Sequence, residues 1–583
     1  MPPRALFELR AIQSRPPSGY MTVGDPIRVP PRLSEESSDF QNYPDNDNSD
    51  CESERAVLFA MAEDKNIHDM SDVERASFDT DSLGKGDLLS LEHTDPVLNA
   101  KMHMVNNAID EIGFTRYHWK LFVLNGFGYA VDSLILLLQG ITAGQASLEF
   151  RPSFIRGLTI AAYVGMLVGA LFWGLSADII GRKWAFNCSL MICSIFAIVA
   201  GASPNWIVLG LFVCLSAFGA GGNLVLDTAV FLEYLPSKKQ WLLTLMAGWW
   251  GLGQLVAGLV AWAFLPNYSC QDPSLFPNAE PCTYGNNKGW RYVWYTCGAL
   301  VFVMSILRLT VIRLKETPKF LVGEGKDAQV AEVLQSIAKK YNRPCSLTFE
   351  ALQACGQTNI GSPRRGSVSH AKTRFSFSEV WVHLQGLFAT RRIAISTSLI
   401  WFSWLCIGLA YPLYNVFLPS YLASRGASFG ELSPSVTWRN YSIANLCSIF
   451  GPVLAGYMCA TRLGRKYTMV VGALVTMVFF FAYTQVRNNA QNLGFNCAIS
   501  FCLNIYYGTL YAYTPEVLPS AHRGTGNGIS IGLNRIMGIM SAVIATVADT
   551  NTPVPIYICA ALYIVMAAVA AAFPFEPFGR RSS

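Results

Sequence analysis

Charge and histidine are scarce in this sequence. Only 14% of its 583 residues are Asp, Glu, Lys or Arg and only 7 are His, whereas 52% are hydrophobic. Soluble domains carry about 25% charged residues, so the composition excludes an ordinary soluble fold for most of the chain. The apolar runs also lack metal-ligand spacings and a nucleophile elbow. We therefore expect a protein that is not an enzyme and that needs no metal or cofactor.

The first 95 residues contain no apolar run long enough to cross a membrane and no short apolar core of a secretory signal. They are rich in Ser, Asp, Glu and Pro, a composition typical of disorder. Val97, Met104, Ala108 and Ile112 then follow helical spacing. Residues 1–116 are therefore predicted to form a disordered cytosolic tail that ends in a short helix before the membrane.

Twelve apolar runs have the length of about 20 residues that a bilayer requires. Six precede a polar stretch at 316–390 and six follow it, which predicts an all-α membrane protein with 12 transmembrane helices in two six-helix bundles. The bundles are expected at 117–315 and 391–575, with a cytosolic linker between them and a cytosolic tail at 576–583. The runs begin near Lys120, Ile155, Trp184, Trp206, Trp241, Val293, Ile393, Trp438, Tyr467, Leu493, Thr525 and Pro555.

Basic residues are concentrated in the loops after the second, fourth, eighth and tenth runs and in the linker. Cytoplasmic loops carry such an excess of Lys and Arg, so both termini are predicted to lie inside. We expect a multi-pass protein of the plasma membrane rather than of an internal membrane.

Most of the 15 cysteines lie in apolar runs and are interpreted as small core residues. Cys270 and Cys282 instead share a loop on the opposite side, where an oxidising compartment permits a disulfide. Asn267 begins an Asn-Tyr-Ser glycosylation sequon in the same loop. A disulfide and a glycan are therefore both possible there, although spacing alone does not establish the geometry of the bond.

Three ionisable residues fall inside the apolar runs at similar depth. At helical rise, Asp132 lies about 18 Å, Asp227 about 13 Å and Arg535 about 15 Å from the cytoplasmic ends of their runs. A charge there costs roughly 2.5 to 3.5 kcal/mol on insertion scales and usually faces a cavity. Asp132 and Asp227 are candidate proton-coupling groups.

The role of each charge has an alternative. Arg535 either balances the carboxylates, or meets an anionic substrate, or is a packed cation bonded to helix carbonyls or to Asn534. Asp227 could simply hydrogen-bond Asn223 one turn earlier.

Two short patterns recur in the two halves. "GLSADIIGRK" (174–183) follows the second run and "AGYMCATRLGRK" (455–466) the eighth, while "FLEYLPSKK" (231–239) and "YTPEVLPSAHRG" (513–524) follow the fourth and tenth. Glu233 and Glu516 each precede a Pro by three residues, and they could form ion pairs with the Arg residues of the first pattern. Repeated six-span halves are typical of transporters that rock around a central site.

These repeats, with "ETPKFLVGEG" (316–325), resemble the sugar porter branch of the major facilitator superfamily. "GFTRYHWKLFVLNGFGYAVDS" (113–133), "GAGGNLVLDTAVFLEYLP" (219–236) and "GWRYVWYTCGAL" (289–300) are most similar to fungal carriers of the synaptic-vesicle-glycoprotein type. The resemblance implies a central cavity lined by spans one, four, seven and ten. It also implies a cytoplasmic gate of Asp178, Arg182, Lys183, Glu233, Glu316, Arg465, Glu516 and Arg523.

The sequence departs from sugar porters in places. Span seven lacks their Gln pair, and Thr461 stands where the second repeat would have Asp, although Gln254 matches a sugar-porter position. Aromatic and amide side chains give the flat walls and few hydrogen bonds that small-solute sites need. The predicted substrate-binding residues are Asn125, Tyr129, Gln254, Tyr411, Tyr414, Asn415, Tyr507 and Arg535.

The sequence thus predicts a secondary active transporter of a small polar organic solute, a sugar or an organic acid, that works by proton symport and alternating access. An efflux antiporter of organic compounds and a non-transporting solute sensor are the alternatives. Its expected partners are the solute, protons and the lipid bilayer, with no nucleic acid, and the expected state is a monomer.

Overall fold

The structure of the chain is a computed structural model. It describes residues 96–179, 182–271, 280–311, 315–356, 381, 384–424, 433–519, 522–547 and 554–577. The predicted tail at 1–95 lies outside these residues.

Long apolar helices dominate the described residues, and eleven spans among them are long and apolar enough to cross a membrane. One of these spans is made of two segments, α6 (Leu242–Met246) and α7 (Gly248–Tyr268), which meet at Ala247. The helices that form these eleven spans are α2 Arg116–Phe150, α3 Gly157–Ile179, α4 Arg182–Gly201, α5 Trp206–Tyr234, α6 Leu242–Met246, α7 Gly248–Tyr268, α8 Gly289–Val311, α12 Arg391–Ser424, α13 Pro434–Cys459, α14 Gly464–Tyr483, α16 Arg523–Val547 and α17 Val554–Ala572.

The remaining spanning helix, the tenth in chain order, is α15, Asn489–Val517. It is less apolar than the others because it carries many Asn and Tyr residues, but its 29 residues exceed the length that a bilayer requires. Every residue from 502 to 517 is buried, so protein surrounds this half of the helix. The prediction of an all-α membrane protein with twelve transmembrane helices is confirmed.

Helices α2–α8 form the first half and α12–α17 the second. The most extensive contacts between the halves are those of α3 with α16 and of α7 with α13. At Gly174 in α3, a Cβ atom would lie 2.9 Å from the carbonyl oxygen of Gly524 and 3.1 Å from the Cα of Gly528, both in α16. Glycine is needed here because the two backbones leave no room for a side chain.

A short helix, α1 (Pro96–Ile112), precedes the first half, as the sequence predicted. It packs against α9 (Pro318–Gly323) and α10 (Asp327–Tyr341), which precede α11 (Phe349–Ala354). We call α9–α11 the linker helices. Thr115 caps the start of α2, where its hydroxyl accepts from the amide of Tyr117 and its own amide donates to Nδ1 of His118. The second ring nitrogen of His118 lies 2.9 Å from the carbonyl of Tyr234, and this contact joins the start of α2 to the end of α5.

The two ends of the bundle differ in chemistry. We call the end that carries Arg182, Arg465 and Arg523 the basic end and the other the disulfide end. Helix α2 has 35 residues, about 52 Å at helical rise, so it extends past the roughly 30 Å hydrocarbon core. Near the disulfide end, Glu149 of α2 pairs with Arg291 at 2.7 Å. The Sγ atoms of Cys270 and Cys282 are joined there in a disulfide.

Candidate functional site

A buried ion pair lies between the two halves. Nη2 of Arg535, in α16, is 2.8 Å from Oδ1 and 3.0 Å from Oδ2 of Asp132, in α2. The Asp132 side chain is fully buried and that of Arg535 is 2% exposed. A cation inside an apolar helix needs an anion nearby to offset the loss of its hydration. The structure thus brings together two residues that the sequence placed at similar depth.

A third side chain fixes the carboxylate of Asp132. Nε1 of Trp250, in α7, donates to Oδ2 of Asp132 at 3.1 Å, and the hydroxyl of Ser133 donates to the backbone carbonyl of Trp250 at 2.7 Å. Trp250 was not predicted as a site residue. Its neighbour Gln254 was, and both lie on the same helix face because they are four residues apart.

Aromatic rings surround the ion pair. The ring of Trp250 stacks on that of Tyr507 at a centroid distance of 5.8 Å and lies at the same distance from that of Tyr411. Tyr511 packs edge-on against Trp404 at 4.6 Å and lies 6.2 Å from Tyr129. These side chains come from α2, α7, α12 and α15, so both halves contribute to the wall.

The predicted substrate-binding side chains differ in their partners. Gln254 donates to the Tyr411 hydroxyl at 3.3 Å across the halves. The hydroxyls of Tyr414 and Tyr507 donate to Asn496 and to the carbonyl of Ile407, so these two are already engaged by the protein.

Two of the predicted residues keep their polar atoms available. Both residues are buried. Within the described part of the chain, the side-chain oxygen and nitrogen of Asn125 and the hydroxyl of Tyr129 have no hydrogen-bond partner. Such groups can bind a solute or water. The side chain of Asn415 lies outside the described residues.

Asp227 forms a different ion pair. Nη2 of Arg308, in α8, donates to its Oδ1 at 2.9 Å, and the other terminal nitrogen of Arg308 donates to the carbonyl of Phe186 at 3.0 Å. Asn223 also accepts from Arg308, at 3.4 Å. The whole cluster belongs to the first half, so it cannot join the two halves as the Asp132 pair does. Arg308 was missed because it lies near the end of its apolar run, where a cation is ordinary.

The predicted gate residues meet at the basic end. Glu233, in α5, lies 3.1 Å from Arg182 of the first half and 3.9 Å from Arg523 of the second. One turn deeper, the amide of Asn527 donates to the Thr228 hydroxyl at 2.9 Å and adds a second bond between α16 and α5. These contacts hold the halves together at the basic end. The side chain of Asp178 lies outside the described residues.

Each half carries the same arrangement of a glutamate at a helix start. Glu316 accepts from the backbone amides of Arg182 and Lys183, which begin α4. Glu576 accepts from those of Arg465 and Lys466 at 3.0 and 2.9 Å, at the start of α14. A carboxylate is favoured there by the free amides and the helix dipole.

Glu576 was not predicted as a gate residue. The available signal was its position in "FEPF" directly after the twelfth span, which matches "ETPKF" after the sixth. The second half also contains the predicted pair of Arg465 with Glu516, which is doubly hydrogen-bonded at 2.9 and 3.0 Å.

Metal binding finds no support within the described ranges, where no three His, Cys, Asp or Glu side chains are grouped so that they could hold an ion.

Comparison with known proteins identifies the fold. The family model described as Major Facilitator Superfamily matches residues 121–542. The chain belongs to this superfamily. This major facilitator protein is 41% identical over 533 residues to MFS siderochrome iron transporter 1 of Ceriporiopsis subvermispora, covering 90% of this chain and 99% of the relative. It is 26% identical over 447 residues to the niacin transporter NiaP of Acinetobacter baylyi, covering 75% and 89%.

More distant relatives agree with the subgroup that the motifs resemble. The synaptic vesicle 2-related protein of Rattus norvegicus is 26% identical over 510 residues and covers 82% of each chain. Among solved structures, the xylose transporter XylE from E. coli superposes with a TM-score of 0.56 at 14% identity, over 79% of this chain and 99% of that one. The predicted resemblance is confirmed, and the protein is a multi-pass membrane transporter of the major facilitator type.

Proposed function

We propose that this transporter carries a small organic acid together with a proton, by alternating access around the Asp132–Arg535 pair. The observation that carries the proposal is the position of that pair, with one residue in each half and both buried. Opening the protein on either side moves the halves apart, so each cycle must accommodate the charges of both residues.

The energetics of a buried cation favour an anionic substrate. An unpaired charge is costly in an apolar interior. When Asp132 binds a proton it no longer neutralises Arg535, and a carboxylate on the substrate can take its place. A guanidinium also binds a carboxylate through two parallel hydrogen bonds, which gives the contact direction as well as strength. Proton and anion would then be bound together.

The surrounding side chains favour a small, flat solute. The rings of Trp250, Tyr411 and Tyr507 provide an apolar wall beside Arg535. Asn125 and Tyr129 offer polar atoms without partners in the described part of the chain. The absence of a Gln pair in span seven weighs against a sugar. A relative named as a niacin transporter is consistent with an aromatic carboxylate as substrate.

Ferric siderochrome transport is the second candidate function, because a relative that is 41% identical carries that name. The two candidates differ in the class of solute that they require, a small carboxylate or a siderochrome. We place the protein in the plasma membrane as a monomer, with the disulfide end and Asn267 outside.

Uptake into proteoliposomes tests the proposal. The solutes to compare are nicotinate, its neutral analogue nicotinamide, xylose and a ferric siderochrome. Each is tested with the external buffer more acidic than the lumen of the liposomes. We expect nicotinate or a related carboxylate to accumulate and nicotinamide not to. Arg535→Gln should abolish uptake. The matched control is the double variant Glu149→Gln/Arg291→Gln, which neutralises a buried pair at the disulfide end and should keep uptake.

The other outcomes contradict the proposal in different ways. Equal uptake of nicotinamide or xylose in the parent and in Arg535→Gln would exclude an anionic substrate. Flux driven only by an outward proton gradient would support an antiporter, and no flux of any tested solute in well-folded protein would favour the sensor.

A further inference from the structure

Ser346 anchors the segment between α10 and α11 to α1. Residues 343–348 form no helix, and within them both the backbone amide and the hydroxyl of Ser346 donate to one oxygen of Glu111, at 2.8 and 2.7 Å. Ser346 and Glu111 are exposed. The serine hydroxyl is therefore at the surface and bonded directly to a carboxylate.

The residues before Ser346 suit a particular class of enzyme. Arg343 is exposed and lies three positions before the serine, in the sequence Arg-Pro-Cys-Ser. Kinases that prefer basic substrates bind an arginine at this spacing through their own carboxylates, in charge-assisted hydrogen bonds. Residues 343–348 form no helix, so Arg343 and Ser346 are not held in helical geometry.

We propose that Ser346 is a phosphorylation site for a basic-directed protein kinase, and that phosphate there releases α1 from the linker helices. The γ-phosphoryl group of ATP is transferred to Oγ, the hydroxyl proton passes to the base of the kinase, and ADP leaves. A phosphoserine carries about −1.5 to −2 charges at neutral pH. It replaces a hydroxyl that donates to Glu111 with a group that repels it.

The release of α1 has a route to the transport machinery. The carboxylate of Asp110, next to Glu111, accepts from the amide and hydroxyl of Ser237 at 2.8 and 2.9 Å. Ser237 follows Glu233 by four residues, and Glu233 forms an ion pair with Arg523 of the other half. At its other end α1 is held by the ion pair of Lys101 with Asp327. Loss of the Glu111 contact thus loosens the end of α1 that lies nearest the gate.

The test uses the full-length protein in lipid nanodiscs. The purified protein is incubated with ATP and the catalytic subunit of a cyclic-AMP-dependent kinase, and phosphopeptides are identified by mass spectrometry. We expect phosphate on Ser346 in the parent and in Glu111→Gln, and none in Ser346→Ala or Arg343→Ala. Ser367, which follows two arginines, is the internal control for kinase activity.

Hydrogen exchange of residues 97–112 then reports the release of α1. We expect exchange to rise about five- to ten-fold on phosphorylation. Ser346→Asp should raise it in the absence of kinase, and Ser346→Asp/Glu111→Lys should return it toward the parent value because the paired charges then attract. Phosphate on Ser367 but not on Ser346 would overturn the proposal, as would phosphate on Ser346 with unchanged exchange.

Discussion

At the scale of single residues, the protein depends on charges that are buried and paired. Asp132 and Arg535 lie on helices of different halves, whereas Asp227 and Arg308 both lie in the first half. The two pairs have similar distances but different consequences, because only the first can be separated by movement of the halves. The sequence revealed three of these four charges. It could not show which cation belongs to which carboxylate, since pairing depends on how the helices are rotated.

The Asp132–Arg535 pair should behave as a unit in unfolding experiments. We expect Arg535→Gln alone to lower the free energy of unfolding by about 3 to 5 kcal/mol, because it leaves an uncompensated buried carboxylate. The double variant Asp132→Asn/Arg535→Gln should recover most of this loss. Thermal unfolding in detergent measures both. A loss in the double variant that equals the sum of the losses in the two single variants would show that the two residues do not interact.

Gly128 should be intolerant of any side chain. A Cβ atom there would collide with the carboxylate of Asp227 and lie 2.9 Å from Nη2 of Arg308. We expect Gly128→Ala to displace this ion pair and to lower the unfolding temperature by several degrees.

Gly140→Ala is the matched control, since it lies in the same helix and its Cβ would meet nothing within 4 Å. It should be neutral, or stabilising by up to about 1 kcal/mol through helix propensity. Equal effects of the two substitutions would contradict the close approach of α2 to Asp227.

At the scale of helices, the starts of α4 and α14 are held by carboxylates that arrive from the chain after the last helix of each half. Glu316 and Glu576 play the same part in the two halves. The helices themselves were predictable because length and hydropathy determine them. The role of Glu576 was less visible, because the sequence around it shares little more with its counterpart than the Glu and the following Pro.

We expect Glu576→Gln to destabilise the second half by about 1 to 3 kcal/mol, because two hydrogen bonds from backbone amides would then be accepted by a neutral group instead of a carboxylate. Glu316→Gln should have a similar effect on the first half. Hydrogen exchange at the first turns of α4 and α14 measures each change locally. Each variant should lose protection mainly in its own helix, α4 for Glu316→Gln and α14 for Glu576→Gln. An equal loss in both helices would contradict separate roles for the two glutamates.

At the scale of the whole molecule, the contacts at the basic end hold one side of the transporter closed. Glu233 bridges Arg182 and Arg523, and Asn527 bonds Thr228 just beneath. Because these residues belong to both halves, their loss should shift the population toward the state that is open at the basic end. A shift in such an equilibrium follows directly from contacts that only one state makes.

Glu233→Gln should therefore expose the interface between the halves. With Thr228→Cys as reporter, we expect a charged thiol reagent applied from the basic end to react several-fold faster when Glu233 is also replaced. Glu332→Gln is the control, because Glu332 pairs with Lys315 at the surface and both side chains are well exposed. An unchanged rate with Glu233→Gln would mean that this ion pair does not favour the closed state.

The sequence by itself determined the twelve membrane helices, the division into two repeated halves and the superfamily, because a bilayer restricts apolar runs to one structure and the loop motifs recur. It also identified Asp132 and Arg535 as unusual, since charge inside such a run is costly. The tertiary structure alone decided their pairing with each other, the support from Trp250, and the separate pairing of Asp227 with Arg308. These depend on helix rotation and on contacts between residues up to 403 positions apart, which no local pattern encodes.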